Sequence, residues 1–243
     1  YTNHSLYYHK RNVMHNKNDF LLLQINDALF PIGGYSHSYG PETYIQKDII
    51  KNADDAALYI EEKLSNSLFY TELLSVKLAY KYSLSGNVDR LKSLEAKLRA
   101  AKTPKEIRLA AQKLGSRFVK TVSGWQTDDK STADIFNTYI KEVKQPSHSV
   151  AYGVFCASAG LDKAKTLETY LYAQTSAMVT NCVKTIPLSQ TQGQKILYDC
   201  HELFETLLEK LENTSEDMLC LSCPGFDIRC MQHERLYSRL YMS

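Results

Sequence analysis

Two stretches of this sequence gather side chains able to do chemistry. The first is Phe30-Pro31-Ile32-Gly33-Gly34-Tyr35-Ser36-His37-Ser38-Tyr39-Gly40-Pro41-Glu42, with glycines, prolines, two serines and a histidine packed together. Glycine allows positive φ and close backbone approach, and proline removes a donor, so a defined non-helical excursion is encoded here. A phosphate loop needs a Lys-Ser/Thr pair after its last glycine, whereas Pro41-Glu42 follows Gly40. A nucleophile elbow needs Gly-x-Ser-x-Gly after a strand, whereas Gly34-Tyr35-Ser36-His37-Ser38 follows a helical pattern. The stretch is expected to be a structural turn or a partner-binding loop, not a catalytic one.

The second is Cys220-Leu-Ser-Cys223 followed by Cys230-Met-Gln-His233. Four thiol and imidazole ligands in two such pairs match a structural zinc site, which makes a small helical metal-binding module the alternative reading. Against it, the spacer between the pairs is short for a zinc finger, and Asp227 to Leu240 reads as one helix. Unpaired surface thiols are the competing expectation. His4, His9 and His15 lie in a polar segment without periodicity, so residues 1–18 are expected to be a disordered tail, where ordering entropy opposes a metal site.

The elements that must position these groups are helical. In 243 residues there are only 10 glycines and 6 prolines, and segments rich in Ala, Leu, Lys and Glu dominate. Asn18 or Asp19 can cap a first helix that delivers the glycine loop. A long helix is predicted from about Asp54 to Ser83, with Ala57, Leu58, Ile60, Leu64, Leu68, Leu74, Val76 and Leu78 as its apolar stripe. Thr103-Pro104-Lys105-Glu106 reads as a capping box opening the helix that ends at Gly124. Ser131-Thr132-Ala133-Asp134 opens another, which stops near Pro146. Small residues Ala151, Gly153, Ala157 and Ala159 predict a buried helix over about 149–159, followed by helices over 165–186 and 190–212. Period-two patterning is sustained nowhere. The fold class is therefore all-α, a single-domain bundle of about ten helices over 19–232, with a tail at 233–243.

Charge and cysteines bound the partners. The 29 basic and 27 acidic side chains nearly balance, which argues against nucleic acid as main partner. No apolar run is long enough to span a bilayer, no secretion signal is read, and the cysteines lie in helical patterns, so a reducing cytoplasm is expected.

Two terminal segments together carry a resemblance. The stretch from Phe30 to Glu42 resembles the N-terminal signature of the urease accessory protein UreF family, and His233-Glu-Arg-Leu-Tyr-Ser-Arg-Leu-Tyr-Met-Ser243 resembles its C-terminal one. Between them, Tyr172-Ala-Gln-Thr-Ser and Lys184-Thr-Ile-Pro-Leu-Ser-Gln-Thr-Gln-Gly-Gln194 look like its central segments. Pro41 departs from the leucine-like residue usual there. The resemblance implies a non-catalytic all-α scaffold with no cofactor of its own, acting in nickel insertion into apo-urease. It implies a homodimer that binds UreD (UreH in some bacteria), recruits the GTPase UreG, and acts with them on the urease apoprotein.

Partner contacts are expected from Tyr35, His37, Tyr39 and Glu42 in the loop, and from His233, Glu234, Arg235, Tyr237, Arg239, Leu240 and Tyr241 in the tail. Arg and Tyr are enriched at interface hot spots because they bring large area and directed hydrogen bonds. Lys184 is expected as a polar anchor for the loop and tail, or as a solvated helix-end charge favourable to the dipole. His233 is expected to hold the tail by a hydrogen bond.

Overall fold

The structure is a computed structural model that describes residues 17–38, 40–125 and 130–242. Tyr39, the histidines at positions 4, 9 and 15, and nearly all of the expected disordered tail lie outside the described residues. The α-helices are α1 (Lys17–Ile25), α2 (Pro41–Gln46), α3 (Ala53–Lys63), α4 (Leu74–Leu84), α5 (Val88–Ala101), α6 (Lys105–Val122), α7 (Lys130–Glu142), α8 (His148–Ser158), α9 (Lys163–Thr185), α10 (Gln190–Asn213) and α11 (Pro224–His233). A π-helical segment, Leu64–Leu73, joins α3 to α4 without a break, so the eleven α-helical stretches make ten rods. Among the described residues there is no strand. The expected all-α bundle of about ten helices is what forms.

Local chemistry sets most helix starts. The side chains of Asn52, Asn87 and Asp162 accept from backbone N–H groups in the first turns of α3, α5 and α9, and Ser189 with Gln192 closes a full capping box on α10. Two expected caps do not form. Helix α1 already begins at Lys17, and its Asn18 and Asp19 side chains instead reach Gly160 and Lys165 at the start of α9. At α6, Pro104 occupies the cap position, Thr103 turns its hydroxyl toward Asp227, and Glu106 points away from the helix start.

The core centres on α8, whose residues from Ser149 to Ser158 are all buried. It packs against α4, α6 and α7. A Cβ added at Gly153 would lie 2.7 Å from the Val76 carbonyl oxygen on α4, so the two backbones approach as closely as only glycine permits. Leu58 departs from the predicted stripe and is 60 % exposed. Two polar pairs lie inside the core: Tyr139 donates to Glu95 at 2.6 Å, and Asn26 donates to the Tyr152 hydroxyl at 2.8 Å. Burial pushes the Glu95 carboxyl above its ordinary range, which hydrogen bonds from Tyr139 and Ser147 offset in part.

Candidate functional site

The glycine loop is seated on α6. Phe30 packs its ring against Phe118 and Trp125, with centroids 5.9 and 6.0 Å away, and Arg117 donates to the Ile32 carbonyl at 3.1 Å. Gly33 and Gly40 adopt φ of +80° and +110°, in the left-handed region that favours glycine. At Gly40 an added Cβ would also meet Cys230 Sγ at 3.0 Å. Asn181 of α9 donates to the His37 carbonyl at 3.1 Å. Pro41 then opens α2, as its fixed φ suits a first helical position, and this places Glu42 in the first turn, 4 % exposed.

The chain's far end closes on Glu42. Helix α11 stops at His233, and the following strap, residues 234–242, runs back over the loop. Leu240 and Tyr241 donate their backbone N–H groups to the Glu42 carboxylate at 2.5 and 3.2 Å. The His233 ring lies between two carboxylates, Nε2 2.9 Å from Glu42 and Nδ1 2.6 Å from Glu106. Both ring nitrogens are thereby engaged, each by a different acidic side chain. The second Glu106 oxygen accepts from Arg239 at 2.7 Å. Two outer bonds finish the clasp: Met242 N–H to the Ser36 carbonyl at 2.9 Å, and Gln46 to the Ser238 carbonyl at 2.6 Å.

This arrangement sorts the expected contact residues by direction. His37, Glu42, His233 and Tyr241 face inward and are buried. Burial, helped by the neighbouring cations Lys113 and Arg117, pushes the His37 imidazole below its ordinary value. Tyr35 is 75 % exposed and Leu240 66 %; Glu234, Arg235, Tyr237 and Arg239 are exposed as well. Lys184 is exposed on the last turn of α9 and, among the described residues, makes no hydrogen bond or ion pair with loop or tail. The anchoring expected of it falls to Asn181, three residues earlier on the inward face.

The expected helix from Asp227 to Leu240 is corrected. Pro224 starts α11 earlier, and the strap's backbone donors go to Glu42 in place of helical carbonyls. The four-ligand zinc reading fails as well, because both His233 nitrogens are engaged by Glu42 and Glu106. Among the described residues no group of three or more His, Cys, Asp or Glu side chains could hold a metal ion. Cys220, Cys223 and Cys230 instead line a cavity of about 300 Å³ beside the π segment, and Cys230 is buried, not a surface thiol. Burial raises all three thiols, Cys220 to about 11, which opposes the thiolate that a metal needs.

Glu106, Arg117 and Asn181 are the residues that sequence reasoning missed. Glu106 was assigned to a helix cap, and its real partners stand 127 and 133 positions away, beyond any local pattern.

Comparison with known proteins accounts for the chain as a whole. The family model UreF matches residues 50–201, the bundle between loop and strap. A urease accessory protein UreF from Haemophilus influenzae is 35 % identical over 223 residues, covering 91 % of this chain and 94 % of that protein. Proteins of the same name from Actinobacillus pleuropneumoniae and Lachnoclostridium phytofermentans are 33 % and 30 % identical, each covering 91 % of this chain and 97 % of the relative. These relatives are named as accessory proteins and not as catalysts, in agreement with the expected scaffold. With a family model over more than half of the chain and relatives matched over 91 % of it, the chain belongs to the UreF family of urease accessory proteins.

Proposed function

We propose that this chain scaffolds the maturation of the urease nickel centre, as a cytoplasmic homodimer that binds UreD/UreH and recruits the GTPase UreG to the urease apoprotein. The observation that carries this reading is the clasp. Glu42, Glu106 and His233 fix the strap from inside, while Tyr35, Tyr237 and Leu240 are left exposed on the loop and strap. Aromatic side chains held in place in advance lose little freedom on binding, which is the economical way to build a hot spot. The bundle supplies rigidity, and the partner supplies GTP chemistry.

Deletion of residues 234–243 tests the reading. Co-purification with UreD/UreH is expected to be lost while the helical circular dichroism is kept. An intact complex after the deletion overturns the assignment of the strap as partner-binding.

A further inference from the structure

One face of α6 carries cations that no ion pair among the described residues engages. Lys105, Leu109, Lys113, Arg117 and Lys120 recur every three or four residues, share that face and are all exposed. Glu106, the acid nearest to them in sequence, is already shared between His233 and Arg239. A cleft of about 250 Å³ opens between this face and the clasp, lined by the cations Lys105 and Lys113, the acids Glu106 and Glu234, and by His37, Leu109 and Met242. Burial first, and then the nearby Lys113 and Arg117 charges, hold the His37 imidazole below its ordinary value, with Glu106 opposing.

Apolar groups border the charge: Leu109 is 42 % exposed, Met242 55 % and Tyr35 75 %. A net charge of +2 gives no long-range pull on a polyanion, and mixed cationic and apolar surface suits a protein. Asp199, Glu202, Glu205 and Glu209 on α10 form an exposed acidic row, so a second copy is the competing occupant, which the test below separates by self-association.

We propose that this α6 face and its cleft dock an acidic amphipathic segment of a different protein. Its carboxylates seat between Lys105 and Lys113, and its apolar side chains cover Leu109, Met242 and Tyr35. The assignment rests on the loop and strap being a partner interface, and names the chemistry of what binds beside them.

The test uses the full chain and a fluorescein-labelled helical peptide carrying Glu and Leu at i, i+4 spacing, read by fluorescence anisotropy. The wild type is expected to bind, and Lys105→Glu with Lys113→Glu to weaken binding about tenfold or more, with the salt dependence reduced. Both positions are exposed, and unchanged helical circular dichroism verifies the variant's fold. No binding by wild type, or equal binding by the variant, overturns the proposal. So does equal competition from inorganic phosphate or single-stranded RNA, or a self-associated form that the variant dissolves. The peptide measurement needs no UreD/UreH, so its failure is distinguishable from failure of the strap deletion.

Discussion

The contact between α4 and α8 and the clasp between loop and strap solve opposite problems. The first is dry and close, with Gly153 against the Val76 carbonyl and every α8 residue from Ser149 to Ser158 buried. Its energy comes from apolar area and packing, and no single polar bond decides it. The second buries Glu42 and His233 and half-buries Glu106 so that a nine-residue strap without helix of its own stays in place. Burying such groups is costly unless all are satisfied, so the clasp is all-or-none in a way that the core is not. The bundle thus gives shape by packing, and the clasp holds the strap on that shape by a few polar bonds.

Three perturbations break or sharpen this contrast. The largest effect is expected from Gly153→Val, which forces α4 and α8 apart and should cost about 4 kcal/mol of global stability, measured by urea unfolding. A loss below about 1 kcal/mol would mean that the approach of the two helices is not essential. Glu42→Ala is expected to act locally. It strands the Leu240 and Tyr241 N–H groups and one face of His233, so amide exchange across 234–242 should accelerate about a hundredfold, close to 3 kcal/mol, while the bundle stays protected. Bundle exchange rising equally would show that clasp and core are one cooperative unit.

The smallest effect is set by pH. His148 at the start of α8 is half-buried beside the cysteine-lined cavity, its buried Nε2 has no hydrogen-bond partner among the described residues, and burial pushes the imidazole from 6.5 down to about 4. The unfolded chain therefore takes up this proton first as pH falls, so stability is present above about pH 6.5 and is lost progressively toward pH 4. Between about pH 7 and about pH 5 the loss should be roughly 2 kcal/mol, and His148→Phe should flatten that part of the profile.

The core was legible because its signals are local. Small residues at Ala151, Gly153 and Ala157 marked the buried helix, and the proline and glycine breaks marked most boundaries. The clasp was legible only in part. Its loop and strap stand out as unusual sequences that single out Glu42, His233 and Arg239, but Glu106, the partner of His233 and Arg239, looks like an ordinary helix-start acid. The pairings that define the site span well over a hundred positions, and burial, which turned His37 and His233 inward and left Lys184 outside, has no signature in spacing alone.

The π segment between α3 and α4 acts as a phase shifter in a single shaft. Each residue of an α-helix turns the side-chain direction by about 100°, and wider π turns offset the second half of the rod against the first. The α3 half can thereby address α9 and α10 while the α4 half addresses α8 and α5. Removing one residue from Leu64–Leu73 would restore an ordinary helix and swing one half away from its neighbours. The rod's irregular stretch is thus a timing element, keeping two sets of contacts in step along one continuous backbone.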